Sequence, residues 1–202
     1  IGDRNERKYV QDLKTHIGKI IRLKLDGTVP ADNPFASKKD LQPEIWSYGH
    51  RSPQGLVLNN QTKTLWMAEM GPRGGDEINI VKPGENYGWP EITYGREYSG
   101  FKIGPETKSG VTKPAHYWVP SISPSAIHFY TANKFSGWSQ NMFVASLGGS
   151  HLRRLKIENG NILEEETLLS DLNLRFRNVR TGPDGYIYIS TDQGQIARLV
   201  PE

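Results

Sequence analysis

Two regions of this 202-residue chain combine residue types that could do chemistry. The denser runs from Trp46 to Pro90. It holds Tyr48-Gly49-His50-Arg51-Ser52-Pro53-Gln54-Gly55, then Glu69-Met70-Gly71-Pro72-Arg73-Gly74-Gly75-Asp76-Glu77-Ile78-Asn79, then Gly84-Glu85-Asn86-Tyr87-Gly88-Trp89-Pro90. Glycine and proline at this density fix a backbone that strands alone do not require, so carbonyls and amides can be aimed at a ligand. Asp76, Glu77 and nearby carbonyls are hard oxygen donors of the kind calcium takes, roughly six to eight at a time. An adjacent Asp-Glu pair is equally an ordinary solvated surface feature, and the bare sequence leaves both readings open. Farther along, Arg175-Phe176-Arg177 puts two guanidinium groups on one face of a strand, because residues two apart share a face. Parallel cations repel, so the triplet requires an anion between them or an exposed sheet edge.

The elements that must position these groups are short strands. Gly (21) and Pro (13) together make up about one residue in six, while five Trp and nine Tyr favour strands. The longest helical candidate, Arg7–Thr15, is weak. Strands are expected near Lys19–Leu25, Leu65–Ala68, Ile78–Val81, Met142–Ala145, Leu152–Ile157, Tyr186–Ser190 and Ile196–Val200. Two patterns recur. Gly18–Lys24, Asp76–Lys82, Ser150–Lys156 and Gly194–Val200 each run from a small or polar start through alternation to an aliphatic pair. Leu65–Ala68, Met142–Ala145 and Ile187–Ser190 are apolar runs ending in a small residue, each led by a polar turn. Recurring strand pairs with variable loops predict an all-β chain built as a β-propeller; a β-sandwich is the alternative. The chain supplies about three blades plus a partial one, as a single partial domain over residues 1–202. Ile1-Gly2-Asp3 resembles the end of the strand at Ile189-Ser190-Thr191-Asp192, so the sequence is expected to open inside a blade. An incomplete propeller exposes apolar blade faces, which favours association into homo-oligomers or with further blades.

Composition excludes other classes. Zero cysteines remove disulfides and Cys-based metal sites. A net charge of +3 from 25 basic and 22 acidic residues, mixed along the chain, gives no nucleic-acid footprint. No run of apolar residues is long enough for a membrane span, and no signal-peptide pattern stands at the start.

Taken in order, the Gly-His-Arg-Ser-Pro-Gln-Gly segment, Gly-Pro-Arg-Gly-Gly-Asp-Glu-Ile-Asn, Asn86-Tyr87-Gly88-Trp89-Pro90, Arg175-Phe176-Arg177-Asn178 and Gly182-Pro183-Asp184-Gly185-Tyr186 resemble the C-terminal part of the soluble pyrroloquinoline-quinone (PQQ)-dependent glucose and aldose sugar dehydrogenases. The resemblance covers nearly the whole chain. It implies a six-bladed propeller with two to three blades preceding Ile1, a periplasmic or secreted location, an aldose substrate, and PQQ and calcium as cofactors. It also implies that Arg51 and Gln54, from the motif written His-Arg-Asn-Pro-Gln-Gly in that family, and Arg175 and Arg177 bind the cofactor. Gly71 and Pro72 are implied to offer carbonyls to the calcium that holds it, and Glu77 and Tyr87, ten apart, to bind a further calcium through side chain and carbonyl.

The chain departs from the family at Ser52, where an Asn is usual, at Met70, where His or Gln is common, and at Gly148-Gly149, where a Lys is common. None of His16, His50, His116, His128 or His151 matches the motif of the family's catalytic base, so no catalytic residue is assigned and structural roles are expected for all five. The leading reading is a sugar dehydrogenase oxidising an aldose to its lactone by hydride transfer to the quinone. Weak PQQ binding and no sugar oxidation are expected of this chain by itself. The competing readings are a non-catalytic, calcium-stabilised propeller that binds sugar or protein, and a calcium-dependent lactonase-type propeller.

Overall fold

Met142–Ser146 shows why this sequence stacks sheets. All five residues are buried, with Met142 and Val144 entering one core and Phe143 and Ala145 another. A strand buried on both faces needs a sheet on either side, which a two-sheet sandwich cannot provide. The computed structural model, which describes residues 1–201, supplies them. Strands β1 (Lys19–Ile21) and β2 (Ile45–Tyr48) pair. An antiparallel meander follows, of β3 (Pro53–Leu58), β4 (Leu65–Glu69), β5 (Asp76–Val81) and β6 (His116–Trp118). A second meander holds β7 (Pro124–Phe129), β8 (Met142–Ser146), β9 (Leu152–Glu158) and β10 (Asn161–Leu168). The last sheet has β11 (Phe176–Thr181), β12 (Ile187–Thr191) and β13 (Ile196–Arg198). First strands of successive sheets meet, β3 on β7 and β7 on β11, as the inner strands of propeller blades do. Trp66, Ile78, Trp118, Ile127 and Phe129 fill the space between the two meanders; Tyr130, Phe176, Val179 and Ile187 are in the core between the second meander and the last sheet.

Several expected elements are corrected. The strand expected over Lys19–Leu25 ends at Ile21, where the register with β2 shifts and the chain turns back through a Lys24 to Thr28 backbone bond of 2.9 Å. The helical candidate over Arg7–Thr15 is a single 3-10 turn at Arg7–Tyr9. The Tyr9 and Val10 carbonyls of this segment are taken by the fully buried Lys19, whose Nζ donates to them at 3.4 and 2.7 Å and also to the Ile17 carbonyl at 2.6 Å. Strands β2, β3, β6, β7 and β10 lie outside the expected set, and β11 was expected only at its Arg175-Phe176-Arg177 start. Ile1 pairs with β1, its amino group donating to the Lys19 carbonyl at 2.8 Å and its carbonyl accepting the Lys19 N–H at 3.1 Å.

The ends of the inner strands are tied to each other. At one end Ser125 Oγ donates to the Phe176 carbonyl at 2.7 Å, and Arg175 reaches the Leu147 carbonyl at 3.2 Å. At the other, His128 Nε2 accepts from the Thr181 N–H at 3.0 Å and lies 2.8 Å from its hydroxyl, which fixes the neutral imidazole with its proton on Nδ1. Burial, with the Arg180 guanidinium nearby, pushes the His128 pKa down to about 4 from its ordinary 6.5. The native state therefore refuses a proton that the unfolded chain accepts. The stability it contributes is complete above about pH 6.5 and is lost as pH falls toward 4. On this account the acid limb of a pH–stability curve carries on the order of 2 kcal/mol from this one group, reduced by its partial exposure. Denaturant melts of His128→Gln between pH 7 and 4 should show a flattened acid limb; an unchanged slope removes His128 as its source.

Candidate functional site

Antiparallel meanders place alternate loops at the same end, so the 49–52, 70–75, 119–123, 147–151, 173–175 and 192–195 segments gather around the starts of β3, β7 and β11. All three expected cofactor arginines lie in these segments or in the first residues of β11. Arg51 donates from Nη1 to the Met70 and Gly71 carbonyls at 2.9 and 2.5 Å, and from Nη2 to the Tyr98 hydroxyl at 3.4 Å. Its guanidinium lies over the Trp89 ring, 5.5 Å from the centroid. Neutral carbonyls and an aromatic face fix this cation without cancelling its charge, and its buried Nε has no partner. Gln54 folds back onto Ser52, donating to its Oγ at 2.9 Å, and both line a cleft of about 360 Å³ with Arg51.

Arg175 and Arg177 share a face as their spacing requires, and the anion between them is Asp192. Arg175 Nε lies 2.7 Å from Asp192 Oδ2, and Arg177 Nε pairs with Oδ1. These bonds hold the Asp192 carboxyl below its ordinary pKa. Each arginine spends its Nε on the aspartate and both remain exposed, leaving a net positive pair at the surface. At Gly148 and Gly149 the backbone donates to the Ile122 carbonyl at 2.9 and 3.1 Å, and a Cβ would lie 2.8 Å from Ser123 Oγ or 2.0 Å from the His151 ring. The close packing here explains why no side chain stands in this turn.

Below the Arg51 loop, a buried acidic cluster spans β4 and β5. Glu77 lies directly across from Glu69 in the strand register. Asn79 Nδ2 donates to both, at 3.0 Å each. Burial, and then the neighbouring Glu69 carboxylate, drive the Glu77 pKa well above the carboxylate range. Glu69, missed by the sequence reading, also accepts the Arg51 N–H at 2.8 Å and lies 3.2 Å from His50 Nδ1. Its position as the last residue of an apolar strand was the available signal. His50 is fully buried, with Ser47 Oγ 2.8 Å from Nε2 and the Tyr87 ring stacked at 4.7 Å. The Tyr87 phenol is engaged, donating to the Ile80 carbonyl at 2.6 Å and accepting from the Lys82 N–H at 2.9 Å, so only its carbonyl is left for a ligand. A cavity of about 20 Å³, the size of one water or ion, is lined by Gly49, Glu69, Gly71, Gly75, Glu77 and Tyr87. Asn79 Oδ1 is buried without a partner. Two close carboxylates and backbone carbonyls around a small void fit a hard cation, although no three His, Asp or Glu side chains converge as a metal cluster among the described residues.

Asp76 organises the Gly71-Pro72 turn. It is fully buried, accepts the Gly71 N–H at 2.9 Å through Oδ1, and takes Ser121 Oγ, Ile122 N and Ser123 N at 2.6, 2.8 and 2.7 Å through Oδ2. The glycines serve backbone packing: a Cβ on Gly71 would lie 2.2 Å from the Gly74 oxygen, and one on Gly75 would lie 2.4 Å from the Gly95 nitrogen. Of the other histidines, His16 lies 2.6 Å from Glu44 and His151 Nδ1 bonds the Gly149 carbonyl at 2.7 Å, while the buried Nε2 of His116 lies 3.2 Å from the Glu165 carboxylate without a hydrogen bond.

Comparison with known proteins places this geometry among relatives. The family model described as Glucose / Sorbosone dehydrogenase matches residues 1–199. Aldose sugar dehydrogenase YliI of Escherichia coli (strain K12) is 43% identical over 207 residues, covering 100% of this chain and 56% of that protein. The crystal structure of the soluble aldose sugar dehydrogenase from Escherichia coli in the apo-form superposes with a TM-score of 0.96 at 42% identity, over 100% of this chain and 60% of that one. The PQQ-bound form of aldose sugar dehydrogenase from Streptomyces coelicolor gives a TM-score of 0.74 at 28% identity, over 96% and 53%. The chain thus spans little more than half the length of these relatives. No helix among the described residues is long and apolar enough to cross a membrane.

Proposed function

Because the chain belongs to the glucose/sorbosone dehydrogenase family, we propose that it is the part of a periplasmic or secreted PQQ-dependent aldose sugar dehydrogenase that holds the cofactor's anionic edge and its calcium, with an aldose as substrate. The observation that carries this reading is Arg51, a cation fixed by carbonyls and left without a carboxylate, at the same end of the inner strands as the Arg175–Arg177 pair. Bound PQQ would accept the hydride from the sugar carbon, with calcium polarising the quinone carbonyl. The chain's own residues would do the rest of what this half supplies. Arg51, Gln54, Arg175 and Arg177 would meet the carboxylates, and Gly71 and Pro72, held by Asp76, would offer carbonyls to the cofactor's calcium. Glu77 with the Tyr87 carbonyl, backed by Glu69, would hold a second calcium beneath them. Four of the five histidines are engaged in structural hydrogen bonds and His116 faces the Glu165 carboxylate, so the base that takes the sugar's hydroxyl proton is assigned to none of them. On this reading residues 1–202 would form one partial propeller domain.

The engagement of Arg175 and Arg177 by Asp192 favours a second reading, a calcium-stabilised binding propeller whose clamp is already filled. Titration of the chain with PQQ and calcium, followed by quinone absorbance, separates the two. Weak saturable binding that needs calcium supports the cofactor reading, whereas calcium binding with no PQQ binding supports the second. In calorimetry, Glu77→Gln should weaken calcium binding at least about 10-fold, as expected when a charged oxygen ligand becomes neutral. Unchanged affinity removes Glu77 from the site.

A further inference from the structure

The long excursion between β5 and β6 carries a second set of cations that the cofactor reading does not use. Arg73 and Arg96 form an antiparallel bridge, each N–H bonded to the other's carbonyl at 3.1 Å, and Arg96 is bridged on its other side to Lys102. Directly opposed residues of an antiparallel pair share a face, so three cations stand side by side. The backbone enforces this, since a Cβ on Gly75 would lie 2.4 Å from the Gly95 nitrogen and one on Gly95 would lie 2.3 Å from the Gly74 oxygen. All three side chains are exposed, and none is ion-paired among the described residues. Like charges directly opposite one another are destabilising unless an anion joins them. Asp192 performs that office for Arg175 and Arg177; nothing does so here, because the nearby Asp76 is buried and spent on four donors. Arg73 and Arg96 line a concave cleft of about 770 Å³ together with Pro72, Tyr98, Ser121 and Ser123. Through Pro72 and Tyr98 the cleft adjoins the Arg51 site.

We propose that the Arg73–Arg96 pair, extended by Lys102, is an anion subsite that takes the carboxylate or phosphate of a sugar, so that sugar acids and sugar phosphates are bound in preference to neutral aldoses. This rests on the sugar-oxidising reading above for the identity of the ligand but on a separate set of residues. A concave, hydroxyl-lined cleft suits a small polyol anion, and paired guanidinium groups suit its planar or tetrahedral oxygens.

The test is calorimetry on the 202-residue chain at low salt, without PQQ, using D-glucuronate, glucose 6-phosphate, glucose and inorganic phosphate. At least one of the two sugar anions should bind about 10-fold or more tighter than glucose and tighter than phosphate alone. The preference should shrink with added salt. Arg73→Gln/Arg96→Gln should abolish it, while Lys108→Gln, which removes an exposed cation of the same excursion outside the cleft, should leave it in place. The Arg73 and Arg96 side chains are exposed, and an unchanged circular dichroism spectrum checks the fold. Equal binding of sugar anions and glucose overturns the proposal, as does phosphate binding as tightly as glucose 6-phosphate, which would mean that the sugar is not recognised. Loss of PQQ binding in Arg73→Gln/Arg96→Gln would give the row to the cofactor and overturn it as well. If PQQ fails to bind the chain while glucuronate still binds through Arg73 and Arg96, the cofactor reading falls and the subsite stands.

Discussion

Asp76→Ala is expected to cost the folded chain about 4 kcal/mol, the largest stability loss of any single substitution proposed for this protein. The carboxylate is fully buried and accepts four hydrogen bonds, from Gly71, Ser121, Ile122 and Ser123. Removing it leaves three backbone N–H groups and a hydroxyl without their acceptor in a region closed by the Ile122 and Trp118 core. For a chain of this size that corresponds to a fall in melting temperature of roughly 8–16 °C. Asp76→Asn should restore little, because its amide NH₂ would face donors where the carboxylate faced them. The loss bears on function as well, since the Gly71 amide is held by Asp76 and the Gly71 carbonyl carries Arg51. Thermal melts by circular dichroism check this. A loss below about 1 kcal/mol for Asp76→Ala, or near-full rescue by Asn, would show that water replaces the carboxylate and that the turn is not held as described.

Neutralising the arginine pair is expected to have the largest effect on cofactor binding. Arg175→Gln/Arg177→Gln should weaken PQQ binding by about 10³-fold relative to the unsubstituted chain, and Arg51→Gln by about 10- to 100-fold, as charge-assisted bonds contribute roughly 1.5–3 kcal/mol each. The double change exceeds the single one for an electrostatic reason. Two guanidinium groups around Asp192 sum to a net positive charge, and deleting both leaves an uncompensated carboxylate facing a ligand with three of its own. Adding Asp192→Asn to the double variant should therefore recover part of the loss. Quinone-absorbance titrations in the presence of calcium give each affinity. If the double variant binds as the unsubstituted chain does, or if removing the Asp192 charge recovers nothing, the Arg-x-Arg pair is a surface ion-pair cluster rather than a clamp.

The features legible in the sequence were those decided over a few residues. Apolar runs marked β4, β8 and β12, because a strand buried on both faces, such as Met142–Ser146, has no solvent face to make polar, while alternation marked β5 and β9. The i, i+2 spacing of Arg175 and Arg177 fixed a shared face and the need for a counter-charge between them. The Gly-rich turn at 71–75 announced a constrained backbone. Strand β10, by contrast, carries Glu164, Glu165 and Glu166 in a mostly exposed outer position, and β3 opens with Pro53-Gln54-Gly55; neither pattern separates a strand from a loop. Those strands exist because a neighbouring strand offers its hydrogen-bonding edge, a property of the assembled sheet.

Which counter-charge each group receives was decided in the same way by tertiary structure. Asp192 is 15 residues from Arg177 in sequence and reaches it only because β11 and β12 pair. Glu69 and Glu77 lie on separate strands and become cross-strand neighbours through the β4–β5 register, whose shared burial raises the Glu77 pKa. Arg73, Arg96 and Lys102 stand in one row only because Gly74, Gly75 and Gly95 let two loops touch backbone to backbone. Sequence thus determined which residues carry charge and which local faces they share. Folding alone determined which charges meet, because Coulomb energy depends on distances through space, and strand pairing brings residues far apart in the chain to within a few ångströms of each other.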